Sequence, residues 1–319
     1  MIGLVYKSTG SWYQVKTAEG EKYSCRLKGK IRLQGLKSTN PIAVGDKVVF
    51  EITKDGDETI GVIKDFEDRK NYIIRKSVNL SKQTHIIAAN VDLAFLVITF
   101  NNPETTTTFI DRFLVSSEAY GVETILLFNK LDSLDDNEFG ELKYLAEVYR
   151  EIGYSCIGIS AKTGKNLNQV KELMHNKVSV FAGHSGVGKS SIINALDPEI
   201  DIKTKEISEQ HLQGQHTTTF AEMHDTYFGA KIIDTPGIRG FGMINMEKEE
   251  LGDYFREFFK LKFNCKFNNC LHINEPKCAV KNALEEDKIA YTRYKSYGQI
   301  LDELNDDDGS YRKNPFAGS

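Results

Sequence analysis

Four short motifs bring together residue types that could handle a nucleotide. Gly183-His184-Ser185-Gly186-Val187-Gly188-Lys189-Ser190 has the spacing G-x-x-x-x-G-K-[ST] of a phosphate loop. Glycines at those places let successive backbone N–H groups turn inward onto phosphate oxygens with no side chain in the way. Lys189 adds a positive charge near the β- and γ-phosphates, and Ser190 offers its hydroxyl to Mg2+, with Ser191 next in the helix that follows. The whole run Gly183–Ser191 is therefore a set of candidate nucleotide contacts. By itself it does not choose between ATP and GTP, and a glycine-rich strand-to-helix turn with an exposed lysine is the plainer alternative.

Asn129-Lys130-Leu131-Asp132 makes that choice. Asp132 is an acceptor-only carboxylate, matched to the N1–H and 2-amino donors of guanine. Adenine lacks that donor pair and would leave the carboxylate unpaired. Asn129 can bridge base and loop, and the Lys130 stem can cover the base face; a helix N-cap is the competing use of Asp132. Ser160-Ala161-Lys162 ends the next strand-like run, where the Ala161 N–H can meet the guanine carbonyl. Asp234-Thr235-Pro236-Gly237 offers a carboxylate to Mg2+ through water and the Gly237 N–H to the γ-phosphate. His216-Thr217-Thr218-Thr219 supplies hydroxyls for a Mg2+-sensing switch. Each motif alone is as easily a turn or a cap. Set at strand ends beside a phosphate loop, they read as a GTP-binding domain.

Ile238 follows Asp234–Gly237, where Ras-like enzymes carry a water-orienting glutamine. An isoleucine cannot orient water, so unaided hydrolysis should be slow and a substitute is needed. His216 is the catalytic candidate within the chain; a solvent-facing loop histidine, or a group supplied by a partner, are the alternatives.

A second chemistry sits in Cys265-x4-Cys270-x-His272-x5-Cys278. Three thiolates and one imidazole suit a closed, tetrahedral, structural Zn2+ site, with unrelated thiols or a disulfide as the alternatives. Cys25 and Cys156 lie on strand-like runs and are expected in cores. Tyr254, Phe255, Phe258 and Phe259 have helical spacing and read as core.

Three kinds of element must position these groups. Residues 1–68 hold five short β-rich runs punctuated by Gly10, Gly20, Gly45 and Asp55-Gly56, which fits a small barrel such as an OB-fold. Arg69–Ala89 reads as a basic connector. From about Asn90 apolar runs at Leu93–Thr99, Thr124–Phe128, Cys156–Ile159 and Val178–Phe181 each precede a helical pattern, the mark of an α/β parallel sheet with crossover helices. After Phe241 the pattern is helical. The expected organisation is an OB-fold RNA-binding domain at 1–68, a GTPase domain at 69–240, a zinc-binding helical domain at 241–305 and a mobile tail at 306–319. Within the second unit the guanine motifs precede the phosphate loop and Asp234–Gly237 comes last, whereas in the common order the phosphate loop comes first and the guanine motif later, so the GTPase domain is read as circularly permuted.

The chain has 319 residues, with 41 Lys+Arg, 45 Asp+Glu and a formal charge of −4. That total suggests no nucleic-acid partner, but the distribution does. Lys22–Lys37 carries six basic residues and no acid, and 254–298 has nine bases to five acids, while 131–151 has seven acids to two bases. Phosphate contacts depend on local charge, so the sum excludes nothing. The longest apolar run, Leu93–Ile98, is far too short for a membrane span, the start has no signal-peptide layout, and the five cysteines do not suggest a disulfide scaffold. A cytoplasmic monomer with no membrane partner is expected.

With this motif order, an N-terminal β-barrel and a Cys-Cys-His-Cys module, residues 1 to about 300 resemble the RsgA (YjeQ) family of small-ribosomal-subunit-dependent GTPases. The resemblance implies an OB-fold, a permuted GTPase domain and a zinc-bound C-terminal domain. It implies a role in late maturation of the small ribosomal subunit, with contact to its rRNA and GTP hydrolysis stimulated by that subunit. It places the zinc ligands on Cys265, Cys270, His272 and Cys278 and the switch histidine on His216, with Thr217 preferred over Thr218 as the Mg2+ contact. The competing functional class is a constitutive rRNA-binding assembly protein whose nucleotide pocket is structural.

Overall fold

The structure is a computed structural model that describes residues 1–28, 41–55, 58–76, 84–200, 221–234 and 246–310. Its first five strands are β1 (Ile2–Ser8), β2 (Tyr13–Thr17), β3 (Lys22–Leu27), β4 (Lys47–Asp55) and β5 (Glu58–Phe66). Alternation builds them: on β2, Tyr13, Val15 and Thr17 point inward while Gln14 faces solvent. The strands close in the order β1-β2-β3-β5-β4 and back to β1, with β3 and β5 parallel, around Val5, Val15, Cys25, Phe50 and Ile63. This is the five-stranded barrel of an OB-fold.

The stretch read as a basic connector is instead a two-stranded ribbon, β6 (Tyr72–Lys76) and β7 (Thr84–Ala89). A bulge between Ile73 and Ile74 leaves both of these consecutive isoleucines buried, which breaks the alternation that would have disclosed a strand.

The central sheet comprises β8 (Leu93–Ile98), β9 (Thr124–Phe128), β10 (Ser155–Gly158), β11 (Val178–Ala182), β12 (Glu222–Asp225) and β13 (Lys231–Asp234). Its order is β10-β9-β8-β11-β13-β12, parallel throughout except for β12. Helices α1 (Thr107–Ala119), α2 (Asp136–Glu151), α3 (Leu167–Met174) and α4 (Lys189–Leu196) complete this layer. Every residue of β8 is buried: Ala94, Leu96 and Ile98 join one core with Phe113 and Tyr149, while Leu93, Phe95 and Val97 join the other with Phe181 and Ile192. At about 1.5–3 kcal/mol for each large apolar side chain removed from water, these two faces hold the sheet. The edge strand β12 also pairs with β1 of the barrel, where Lys7 lies opposite Glu222. Asp225 there accepts from Tyr6 Oη at 2.7 Å and from Lys16 Nζ at 2.6 Å.

The C-terminal unit consists of α5 (Arg256–Leu261), α6 (Ala279–Glu285) and α7 (Tyr291–Ser310), with 3-10 turns at Leu251–Tyr254 and Lys262–Asn264. Helical backbone continues through the acidic stretch to Ser310. Phe255, Phe258, Val280, Tyr297 and Ile300 share one core with Val115 of α1. Phe259 departs from its expected place: it is 45% exposed, because α5 is only six residues long and turns its next face outward. A buried polar cluster ties this unit to the GTPase layer. Arg293, 1% exposed, donates to Glu257 at 2.7 and 3.1 Å and to Asp111 of α1 at 2.5 Å, and Tyr149 Oη of α2 also donates to Asp111 at 2.8 Å.

Candidate nucleotide site and cysteine–histidine cluster

The described parts of the motifs, Asn129–Asp132, Ser160–Lys162, Gly183–Ser191 and Asp234, follow the carboxyl ends of β9, β10, β11 and β13, where an α/β sheet opens to ligands. The phosphate loop runs from β11 into α4. Gly183 has φ 138° and a Cβ there would stand 2.6 Å from the Val97 carbonyl oxygen; Gly188 has φ 97° and its Cβ would stand 2.5 Å from Asn129 Nδ2. Only glycine fits either place. Lys189 Nζ donates to the carbonyls of Gly183 and His184, both at 2.8 Å, which holds the ammonium against the loop. Ser190 is half-buried in the first turn of α4. Ser185 and Ser191 are exposed.

His184 is tied to the start of α1. Its Nε2 is 2.7 Å from Thr105 Oγ1 and its Nδ1 is 3.2 Å from the Ser185 carbonyl oxygen. The Thr99 N–H donates to Thr105 Oγ1 at 3.1 Å. Assigned from this network, the proton sits on Nδ1 and the Thr105 hydroxyl donates to Nε2. Burial lowers the His184 pKa; the Ser185 carbonyl opposes this and Lys189 and Lys130 add to it, so the balance favours the neutral imidazole.

At the base end Asn129, 2% exposed, is the junction. Its Nδ2 donates to the Val187 carbonyl at 2.9 Å and its Oδ1 accepts from the Ala161 N–H at 3.2 Å. One side chain thus sets the phosphate loop and the Ser160–Lys162 loop at a fixed separation. Ser160 Oγ donates to Asp132 Oδ1, and this hydroxyl is the main reason the exposed carboxyl is held below its ordinary pKa. Asp132 lies in a 3-10 turn, and α2 is capped by Asp135 in a capping box with Glu138, so Asp132 does not serve as that cap. Lys130 adopts a left-handed conformation, φ 66°, and its ammonium donates to the Asn102 carbonyl. Leu131 N–H donates to the Ile159 carbonyl at 3.2 Å, and Lys162 is exposed.

Asp234 ends β13, the parallel neighbour of the phosphate-loop strand β11. Ser190 follows β11 in the first turn of α4, and carboxylate and hydroxyl oxygens are the donor types Mg2+ takes. His216, Thr217, Thr218, Thr219, Gly237 and Ile238 lie outside the described residues, as do Lys30, Arg32 and Lys37 of the basic run.

The ligand atoms of Cys265, Cys270, His272 and Cys278 all lie within 4.8 Å of one another. Cys265 Sγ to His272 Nδ1 is 3.7 Å, His272 Nδ1 to Cys278 Sγ is 3.3 Å, and Cys265 Sγ to Cys278 Sγ is 4.0 Å. A zinc tetrahedron with Zn–S of about 2.3 Å and Zn–N of about 2.0–2.1 Å has edges of roughly 3.5–3.8 Å, so the donor set fits that ion. Burial pushes the Cys270 thiol up to about 12 and also raises that of Cys278. The surrounding residues fix the loop: Glu275 accepts from the N–H groups of Leu271, Ile273 and Asn274. Tyr294 Oη and Tyr297 Oη donate to the carbonyls of His272 and Leu271 at 2.7 and 2.8 Å. Neither Glu275 nor these tyrosines was found from sequence; Glu275 within the cluster's own span was the available signal.

A third surface lies on the barrel. An open groove of about 780 Å3 is lined by Lys7, Trp12, Gln14, Lys22 and Tyr23 among others, and the Arg26 guanidinium stacks over Trp12 at 4.1 Å. Thr9 and Trp12 of the β1–β2 loop and Glu58–Ile60 at the start of β5 also line it.

The family model for the RsgA GTPase matches residues 66–244, and the model for the RsgA N-terminal domain matches residues 2–62. The chain belongs to the RsgA GTPase family. A Christiangramia forsetii relative called small ribosomal subunit biogenesis GTPase RsgA is 64% identical over 302 residues, covering 95% of this chain and 96% of the relative. A relative of the same description from Flavobacterium psychrophilum is 60% identical over 312 residues, covering 98% and 95%. Among solved structures, YjeQ from Thermotoga maritima superposes with a TM-score of 0.77 at 38% identity over 95% of this chain and 98% of that one. YloQ, described as a circularly permuted GTPase, superposes with a TM-score of 0.72 at 31% identity over 96% and 95%. The chain is a GTP hydrolase of the RsgA family with a permuted GTPase domain, in which the guanine motif on β9 precedes the phosphate loop on β11. Among the described residues no helix is long and apolar enough to cross a membrane.

Proposed function

We propose that this RsgA-family chain hydrolyses GTP to GDP and phosphate when docked on the small ribosomal subunit, binding its rRNA late in maturation and using the nucleotide to time its release. The observation that carries the reading is the Asn129 junction, which ties a guanine-selective carboxylate loop to a phosphate loop.

In this reading Asp132 accepts from guanine, Ser160 orients Asp132, and Asn129, Leu131, Ala161 and Lys162 with the Lys130 stem frame the base. Backbone N–H groups of Gly183–Lys189 and the start of α4 at Ser190–Ser191 hold the phosphates, with the neutral His184 bracing the loop and the Lys189 charge turned onto them. Ser190, Asp234 and Thr217 would hold Mg2+, which supplies charge neutralisation on the phosphate oxygens when bound. The Gly237 N–H meets the γ-phosphate, and His216 orients the attacking water in place of the missing glutamine. The four-residue cluster holds one structural Zn2+ per chain. The barrel groove with Trp12, Lys22 and Arg26 contacts rRNA. The unit boundaries are 1–68, 69–240, 241–305 and 306–319, and the protein works as a cytoplasmic monomer.

The test is co-sedimentation with purified small subunits in the presence of a non-hydrolysable GTP analogue or GDP. A several-fold difference in occupancy between the two is expected. Equal occupancy would favour the constitutive rRNA-binding reading instead.

A further inference from the structure

The phosphate loop is gripped from outside by a side chain that none of the nucleotide motifs contains. Thr105 lies between β8 and α1, 79 positions from His184 in sequence, and is 6% exposed. Its N–H donates to the Thr99 carbonyl at 2.9 Å, and its Oγ1 accepts from the Thr99 N–H at 3.1 Å. This reciprocal pair fastens Thr105 to the residue that follows the buried strand β8, so its hydroxyl has a fixed place. His184 Nδ1 faces the Ser185 carbonyl and carries the ring proton, which leaves Nε2 as the acceptor. The Thr105 hydroxyl meets it at 2.7 Å. Phe109, in the first turn of α1, packs edge-on against the same imidazole, with ring centres 5.5 Å apart. Two side chains from one segment therefore hold the second residue of the phosphate loop.

That segment also reaches the base end of the site. The Lys130 ammonium donates to the Asn102 carbonyl, and Asn101 Nδ2 donates to Glu138 of α2 at 2.7 Å. Residues 99–106 thus touch Lys130 of the guanine motif and His184 of the phosphate loop. Asn129 joins the same two halves from the end of β9, but takes hold of the loop at the Val187 carbonyl. The loop is braced at two separate points. A glycine-rich loop loses much conformational freedom when it closes on a ligand, and fixing it beforehand removes that cost from binding.

We infer that Thr105 is a positioning residue for GTP: acting through His184, it presets the phosphate loop from a segment that Lys130 ties to the base end. It touches no part of the nucleotide itself. The inference rests on the reading that Gly183–Ser191 holds the phosphates.

The test uses the full-length protein as wild type, Thr105→Val, Thr105→Ser, His184→Phe, the Thr105→Val/His184→Phe double variant and Lys189→Ala. Valine keeps the shape of threonine without its hydroxyl, and phenylalanine keeps a ring beside Phe109 without Nε2. Dissociation constants for fluorescent GTP and GDP are measured, followed by GTP turnover with purified small subunits. Thr105→Val should weaken both nucleotides by about three- to ten-fold, the scale of one hydrogen bond. KM should rise by the same factor while kcat stays within about two-fold, because the brace serves ground state and transition state alike. Thr105→Ser should restore wild-type affinity. His184→Phe should match Thr105→Val, and the double variant should lose no more than either alone, since the two residues act as one unit. Unchanged affinity in Thr105→Val, losses that multiply in the double variant, or a serine variant as weak as the valine one would overturn the inference. Should Thr105→Val fail to fold, His184→Phe carries the test, and wild-type GTP affinity in it would be just as decisive. Lys189→Ala separates the two levels: if it binds GTP as wild type does, the phosphate-loop reading fails, whereas its loss of binding leaves that reading standing whatever Thr105→Val shows.

Discussion

Replacing Arg293 with Met keeps an apolar stem but removes the guanidinium that closes the buried cluster between α7, α5 and α1. Arg293 is 1% exposed, Asp111 0% and Glu257 8%, and the guanidinium makes three of the cluster's hydrogen bonds. Removing one partner of a buried ion pair costs about 3–5 kcal/mol, a large share of a typical net stability of roughly 5–15 kcal/mol. Here two carboxylates are left together. Burial already pushes the Asp111 pKa up, with Arg293 and the Tyr149 hydroxyl opposing it. Without Arg293 the attraction that opposes burial at Asp111 is lost and its folded pKa climbs further above the unfolded value, so the folded variant holds a proton there that the unfolded chain does not. Its deficit is therefore greatest at neutral pH and shrinks as pH falls toward the unfolded carboxyl range. Each pH unit recovers about 1.4 kcal/mol per carboxyl that takes up a proton on folding. Amide hydrogen exchange along α1, α5 and α7, corrected for intrinsic rates, should show faster opening in the variant at pH 7 and partial recovery at pH 5.5. The lone tryptophan, Trp12, sits in the barrel, so its fluorescence should stay the same. Protection equal to wild type at pH 7, or a deficit identical at both pH values, would refute the electrostatic reasoning.

Asp132→Asn should lower GTP affinity at least ten-fold and raise relative use of xanthosine triphosphate, measured by competitive nucleotide binding; unchanged GTP selectivity would count against the base pocket. Gly188→Ala should abolish tight nucleotide binding, since φ 97° and a Cβ 2.5 Å from Asn129 Nδ2 both oppose it. Equilibrium dialysis against labelled GTP reads this out directly. Chelation or Cys278→Ser should release one metal per chain and open α6, whose N-cap is Cys278, while nucleotide binding persists. Metal analysis with hydrogen exchange over 262–285 checks that separation.

Periodicity disclosed the parallel sheet because β8 and its neighbours are apolar on both faces, and motif spacing disclosed the phosphate loop because its geometry needs glycine at Gly183 and Gly188. The ribbon at β6–β7 was not legible: its bulge puts Ile73 and Ile74 both inside. Thr105 was invisible too, since a threonine 79 positions from His184 carries no local signal that the two will meet. The cluster Cys265, Cys270, His272 and Cys278 was readable from density of donors alone. The Arg293–Asp111–Glu257 cluster spans up to 182 positions and exists only once α7 lies across α1. Phe259 misled because helical spacing says which residues share a face, not whether anything covers that face.

The most direct measurement is GTP turnover titrated with purified small ribosomal subunits, at low and raised salt. Slow basal release of phosphate should rise many-fold to saturation as subunit is added, and the stimulation should weaken as salt screens the basic surfaces on the barrel and C-terminal unit. Turnover that stays at its basal rate across the titration would contradict the account.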